Sequence, residues 1–415
     1  MTAEVAIMNT RGIAMAADSA VTLGVGGGKI YNSADKLFAL SKYYPVGIMI
    51  YGSAGIMGIA WEIIIKSYRD SLGSKSFDKL SEYEADFINF LSRFPYFTEA
   101  KMVDYLGSIC RDVFSYVKLW FLDDLHIELK DKEDIKLSKI NFLFDTSLKN
   151  IKEKMEQNED QKQIKLDSGF IDSNTETINK TLEFVFEKYQ LSKEQTNELI
   201  NILKLHFQRH GWIDDYTGIV IAGYGEREIF PTLCTFKVSG KLGDSLIYFD
   251  NDISQIGTDH TASIYPFAQT EMVHQFVRGY DKNFYDATFE KLDTILDALA
   301  PLIGDSDKEK MKAISELLNE YLRNISDTNY ISPIMDIVEG MGKSELGAMA
   351  EAMVNLTALK RHISDDEESV GGPVDVALIT KGDGFIWIKK KTNYDPHLNR
   401  ELNQNYFRSN KNGNL

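Results

Sequence analysis

A two-residue alternation of apolar and polar positions marks a half-buried β-strand, and it surfaces in three parts of this chain. At the start, Thr2-Ala-Glu-Val-Ala-Ile-Met-Asn9 turns at Thr10-Arg-Gly12 and returns as Ile13-Ala-Met-Ala-Ala-Asp18-Ser19, which predicts a hairpin. Tyr216-Thr-Gly-Ile-Val-Ile-Ala-Gly-Tyr224 and Thr232-Leu-Cys-Thr-Phe-Lys-Val-Ser-Gly240 predict a second pair of strands. Near the end, Val374-Asp-Val-Ala-Leu-Ile-Thr380 passes through a Lys381-Gly-Asp-Gly384 turn into Phe385-Ile-Trp-Ile388, a closing hairpin. The apolar run Val46-Gly-Ile-Met-Ile-Tyr51 reads as one more strand, and Gly52-Ser-Ala-Gly55 follows it as a turn.

Between these segments the period changes. From Ser67 to about Trp212 the alternation gives way to helical spacing, as in Phe77–Leu91 and Lys101–Phe114. The stretch Lys149–Lys165 is dense in Lys, Glu, Gln and Asn. Ile56–Lys66 reads as a buried helix after the Gly52 turn, since it is short for a membrane span and contains Glu62. A second helical block runs over Ser263–Ile303, Asp307–Ile325 and Lys343–Ile363. From Lys389 onward the chain is polar and rich in asparagine, which predicts a loose arm. The organisation expected is therefore a discontinuous core over 1–66 and 212–390, enlarged by helices over about 263–363. A helical insertion over 67–211 interrupts it, and a tail over 391–415 follows.

Composition narrows the function classes. A chain of 415 residues with 43% hydrophobic content can bury a large core. Its net charge of −16 argues against a nucleic-acid or anionic-membrane surface. The two cysteines, Cys110 and Cys234, sit in apolar patterns and read as core residues of a protein from a reducing cytoplasm. The N-terminus lacks the basic and apolar regions of a signal peptide. Two tempting motifs have plainer readings. Gly24–Lys29 resembles a phosphate loop, but Leu23 stands where its first glycine belongs and Ile30 where Ser or Thr would follow. His206 and His210 have the i, i+4 spacing of a zinc pair without the accompanying glutamate, so no metal or cofactor is expected. The acidic clusters Asp123-Asp124 and Asp365-Asp366-Glu367-Glu368 read as solvated loop charges.

The candidate chemistry starts at Thr2. Loss of Met1 would leave a threonine whose hydroxyl attacks while its own amine takes the proton. An α-amine titrates near about 7.7–8.0, so a neutral fraction exists around pH 7 without a large shift. Asp18 ends the returning strand, Lys36 stands in Ser33-Ala-Asp-Lys-Leu-Phe-Ala-Leu40, and Gly52 follows the apolar run. A buried lysine paired with an aspartate would favour a neutral amine and polarise the hydroxyl. The backbone N–H of a glycine after a strand could hold an oxyanion.

With these residues in order, the chain resembles the proteasome family of N-terminal-nucleophile hydrolases, which includes proteasome β subunits and HslV. The resemblance rests on Thr2, Ala17-Asp18-Ser19 with Thr22, Asp35-Lys36-Leu37 and Gly52-Ser53-Ala54, and more weakly on later segments. Among those, Gly257-Thr258 takes the place of a Gly-Ser that helps orient the amine. Ser369-Val370-Gly371-Gly372 takes that of a Ser-Gly-Gly turn before a final strand. Three positions depart from the pattern. Val370 replaces a serine, Glu367 stands where aspartate is usual, and Ala20 replaces a basic residue.

The resemblance implies an α+β fold, a four-layer αββα sandwich in which two antiparallel sheets face each other under outer helices. It also implies a threonine peptidase working through an acyl-enzyme in a homo-oligomer, with Thr2, Asp18, Lys36, Gly52 and Thr258 as site residues. Its partners would be a peptide or protein substrate and, through the helical insertion, another protein. Two alternatives stay open: a scaffold or regulatory subunit that has lost catalysis, and an amidase acting on a small molecule.

Overall fold

Ten strands build two antiparallel sheets of five, and both ends of the chain contribute to the first of them. The computed structural model describes residues 2–23, 29–129, 137–156, 168–187, 189–208, 216–299, 305–364 and 370–392. Two expected features, His210 and the acidic run 365–368, lie outside these residues, as do most of the glycine-rich loop and the tail from 393.

The chain opens with β1 (Ala3–Asn9) and β2 (Gly12–Ala17), a hairpin in which every strand residue is buried. The short strands β3 (Val21–Leu23) and β4 (Lys29–Tyr31) pair with each other. They are followed by β5 (Leu37–Ala39), β6 (Val46–Gly52) and a small hairpin of β7 (Gly55–Ile56) and β8 (Ile59–Ala60). Helices α1 (Trp61–Leu72), α2 (Leu80–Ser92), α3 (Glu99–Leu129), α4 (Leu137–Glu156), α5 (Ser168–Ser173), α6 (Thr175–Val185) and α7 (Lys193–Gln208) come next. Strands β9 (Thr217–Gly223), β10 (Thr232–Leu242), β11 (Ser245–Gln255) and β12 (Ala262–Ala268) precede α8 (Glu271–Arg278), α9 (Lys282–Leu299) and α10 (Asp305–Ser326). A π-helical turn over Asp327–Ile331 leads into α11 (Ser332–Gly340) and α12 (Lys343–Ile363), and β13 (Asp375–Thr380) and β14 (Gly384–Lys389) close the chain.

The first sheet has the order β12-β1-β2-β13-β14 and the second β11-β10-β9-β6-β5. Alternation along β1 sorts its side chains to two faces. Ala6 and Met8 join Ile13 and Met15 in a core shared with Met49, Val220 and Ala222 of the second sheet. Val5 and Ile7 pack instead against Leu346, Ala350 and Val354 of α12. The second sheet turns its other face, with Ile48, Ile219 and Phe236, to Trp61 and Ile65 of α1 and Phe87 of α2. Helices α3–α7 gather a separate apolar cluster around Phe114, Phe121, Phe144, Leu199 and Phe207. The fold is thus mixed helix and antiparallel sheet, of the α+β type.

Two expectations need correction. The helix expected over Ile56–Lys66 begins only at Trp61, because positive φ values at Met57 (50°) and Gly58 (74°) turn the chain into the β7–β8 hairpin first. The second helical block does not begin at Ser263. Residues Ala262–Ala268 pair with β1 along its whole length as an edge strand, Ala3 opposite Ala268 and Asn9 opposite Ala262. Pro266 is tolerated there because an edge strand has one row of N–H groups without a ladder partner.

Candidate active site

Thr2 lies immediately before β1 and is buried, as are Asp18 just beyond β2 and Lys36 just before β5. The Lys36 ammonium donates to Thr2 Oγ1 at 3.0 Å and to Asp18 Oδ1 at 2.6 Å. Asp18 is held on every side. Its Oδ1 also accepts from the Ala3 N–H at 3.1 Å, and its Oδ2 accepts from the N–H groups of Ala20 at 3.3 Å and Gly371 at 3.1 Å. The turn carrying Gly371 is clasped in return, since Ser19 donates through its N–H to Gly371 and through its hydroxyl to the Pro373 carbonyl. A buried ion pair is costly to break, because removing either partner strands a charge away from water.

Gly52 ends β6 and lines, with Thr2, Lys36, Tyr51 and Ser53, a cavity of about 140 Å³. Its φ of +85° suits glycine, and an added Cβ would lie 2.6 Å from the Tyr216 carbonyl oxygen. The Ile50 N–H donates to the Lys36 carbonyl, so strand alternation turns the Gly52 N–H to the same side, towards Ala34 and the cavity. The turn beyond is pinned by a relay in which Trp61 Nε1 donates to Thr217 Oγ1 at 2.8 Å and Thr217 donates to the Ser53 carbonyl at 3.1 Å. A second cavity of about 340 Å³ meets the same turn through Ser53 and is walled by Lys101, Asp104, Tyr105 and Ser108 of α3.

Thr258 is not part of this group. It is exposed on the turn before β12, its hydroxyl faces Asp259 at 3.4 Å, and it does not line the Thr2 cavity. Val370 is buried among Val374, Val376 and the α12 side chains, while Glu367 lies outside the described residues.

The sequence matches no protein-family profile and no curated protein. Two solved structures align with nearly all of it at 9% identity. One is a Gly-1 mutant of Anbu from Hyphomicrobium sp. strain MC1, with a TM-score of 0.29 over 100% of this chain and 99% of that one. The other is Anbu, described as an ancestral beta-subunit, from Yersinia bercovieri, with a TM-score of 0.22 over 99% of each chain. The chemistry of the site rests on its own geometry.

That geometry includes groups the sequence alone did not single out. Glu4, two residues along the chain from Thr2, is fully buried, and neither of its carboxyl oxygens has a hydrogen-bond partner among the described residues. Burial pushes this carboxyl well above its ordinary range, Lys36 pulls it down and Asp18 pushes it up. Tyr51 lies flat over Gly218, where a Cβ would come within 2.0 Å of the ring, and stacks on Phe267. Burial raises the Tyr51 hydroxyl, helped by Tyr216 and Glu4.

Asp35, also on the cavity wall, accepts from Lys390 and Lys391, each at 3.1 Å. Burial alone would raise the Asp35 carboxyl, but the two lysines outweigh it and hold it below its ordinary value. Lys391 also reaches the buried Asp375 at 2.5 Å, so the first residues of the expected loose arm are locked against the core.

Among the described residues no group of three or more His, Cys, Asp and Glu is placed to hold a metal ion. His206 is buried on α7, where burial pulls its imidazole down to about 4. No described helix is long and apolar enough to cross a membrane.

Proposed function

We propose that this protein is an N-terminal threonine amidohydrolase, a peptidase of proteasome type that becomes active when Met1 is removed. The observation that carries the reading is the buried chain Thr2 Oγ1, Lys36 Nζ, Asp18 Oδ1, with links of 3.0 and 2.6 Å. A lysine held by an aspartate and touching a hydroxyl polarises that hydroxyl and favours a neutral amine beside it. Thr2 Oγ1 would attack the amide carbonyl while the Thr2 amine takes its proton and passes it to the leaving amine. The Gly52 N–H would receive the oxyanion, and water admitted to the cavity would release the acyl-enzyme. A four-layer αββα sandwich is part of the same reading, supported by one apolar core between the sheets and one on each outer face. The segment 67–211 would then be a helical insertion between two halves of a discontinuous domain, available to a partner protein, with α3–α7 holding a core of their own. Homo-oligomer formation is supported by α9, which buries none of its residues and exposes Phe284 and Ile295. Free, buried Cys110 and Cys234 accord with a cytoplasmic location.

A scaffold without catalysis is the second reading, and it is favoured by Thr258 and Val370, neither of which offers a hydroxyl near Thr2. A small-molecule amidase is the third, supported by the modest 140 Å³ of the Thr2 cavity, below the usual range of about 300–1,000 Å³ for ligand sites. One experiment separates them: turnover of a panel of peptide and small-molecule amides by the Met1-free chain, compared with Thr2→Ser and Thr2→Ala. The peptidase reading expects cleavage of peptides, reduced in Thr2→Ser and absent in Thr2→Ala. Turnover of small amides alone selects the amidase. Turnover that persists in Thr2→Ala contradicts both enzymatic readings, and a folded chain that cleaves nothing is a scaffold.

A further inference from the structure

The nucleophile mechanism leaves the placement of Glu4, beside Thr2, unexplained. Leaving a buried polar group unpaired costs about 1–3 kcal/mol, so such a group in a folded protein calls for a reason. Alternation on β1 sets Glu4 on the inner face with Ala6 and Met8, and Thr2, two positions earlier, lies on that same face. Its neighbours across the sheet are Ala17 on β2 and Phe267 on β12, with Tyr265 one pair further along the same face. The ionisable groups around it are Lys36, Asp18 and, from β6, Tyr51. Lys36 donates to Thr2 and Asp18 rather than to Glu4.

Removal of Met1 creates a new group at the head of this strand, an α-ammonium on Thr2 with three donors. Asp18 has no room for it, because its two oxygens already accept four hydrogen bonds, the capacity of a carboxylate. Glu4 accepts none. Residues i and i+2 of a strand stand about 7 Å apart, a gap that a glutamate side chain lying along the strand can close.

We propose that Glu4 is the acceptor for the Thr2 amine, a positioning residue that shares one proton with it in the processed chain. In the resting form the Glu4 carboxyl passes its proton to the amine, giving an ammonium and carboxylate pair. In the attacking form the proton is back on Glu4, and the amine lone pair takes the proton of Oγ1. No other bond changes, and the proton count is the same in both forms. The orphaned carboxyl of the unprocessed chain is, on this account, a seat prepared for a group that processing supplies.

The inference rests on Thr2 being the N-terminal residue, and its test is arranged to fail separately from the enzymatic reading. Chains beginning at Thr2, released from a cleavable leader, are prepared as wild type, Glu4→Gln and Glu4→Asp. Glutamine has the shape of the protonated acid, so the fold is expected to survive. The titration of the Thr2 amine is followed by NMR after ¹³C reductive methylation, and the pH profile of its modification by an epoxyketone is measured alongside. A carboxylate that favours the ammonium raises the amine midpoint, so Glu4→Gln is expected to lower both midpoints by about one pH unit or more. Glu4→Asp, too short to reach fully, should fall between. Equal amine midpoints in wild type and Glu4→Gln overturn the inference. If the wild type never reacts with the epoxyketone, the amidohydrolase reading fails while the amine titration still decides the role of Glu4.

Discussion

The end of the sheets that holds Thr2 and the helices α3–α7 solve opposite problems. Around Thr2 the buried Asp18 and Lys36 are ionic, and their place is fixed by hydrogen bonds: Asp18 accepts four, and Lys36 joins it to the hydroxyl. The α3–α7 cluster is instead packed from aromatic and aliphatic side chains, with Phe121 edge-on to Phe144 at 5.0 Å and to Tyr189 at 5.7 Å. Packing of that kind gains stability from area removed from water and tolerates rearrangement. A hydrogen-bonded ionic cluster gains little net stability from burial, yet it fixes atoms to a fraction of an ångström. The difference teaches where chemistry can sit in this molecule, namely where burial and charge coincide.

The sharpest way to break the contrast is to remove the cation. Lys36→Met strands the Asp18 carboxylate and is expected to cost about 3–5 kcal/mol in chemical denaturation. Reactivity at Thr2 should be lost with it. A stable and reactive Lys36→Met would mean that the ion pair positions nothing. Leu199→Ala, in the apolar cluster, should cost about 2–5 kcal/mol by the same measurement. Unlike the first variant, it should leave the reaction of Thr2 unchanged below its melting transition.

Gly52→Ala is expected to cost roughly 1–3 kcal/mol, because a side chain would be held at φ +85° against the Tyr216 carbonyl. On the proposed mechanism it should also slow acylation, because the Gly52 N–H would be displaced from the oxyanion.

The two regions should also respond to pH in opposite senses. Burial raises Glu4 above its ordinary 4.5 in the unprocessed chain. Its contribution to stability is therefore complete below pH 4.5 and is lost as pH rises through the elevated value. Burial lowers His206 from 6.5 to about 4, so its contribution is complete above pH 6.5 and is lost as pH falls towards 4. Raising the pH above 4.5 should lower the melting temperature less in Glu4→Gln than in the wild type, and lowering it below 6.5 should lower it less in His206→Leu. The smallest effect is expected at the surface. Lys66→Ala, which breaks an exposed i, i+4 pair with Glu62 on α1, should change stability by no more than about 0.5 kcal/mol.

The strands that were legible in the sequence are those with a buried face and a marked turn, such as β1 and β2 around Thr10-Arg-Gly12. Strands β11 and β12 were not, and both are sheet edges. β11 leaves much of its length exposed, and β12 carries Pro266, so neither keeps the alternation that a half-buried strand imposes. Thr2, Asp18, Lys36 and Gly52 could be picked out because their chemistry depends on residue type and order along the chain. Glu4 was passed over although the period of β1 places it inward beside Thr2. Lys390 and Lys391 read as tail because their partners, Asp35 and Asp375, are distant from one another in sequence and meet only in the folded chain. The late start of α1 depended on positive φ values at Met57 and Gly58, which composition does not announce.

The central claim is that Thr2 is a buried terminal nucleophile primed by Lys36 and Asp18. Its most direct test is the intact mass of the purified protein before and after treatment with a peptide epoxyketone, a reagent that needs both the hydroxyl and the free amine of one residue. The account predicts a starting mass without methionine and a single adduct that maps to Thr2 and is absent in Lys36→Met. A retained Met1, or a free Thr2 that stays unmodified in a folded chain, would contradict it.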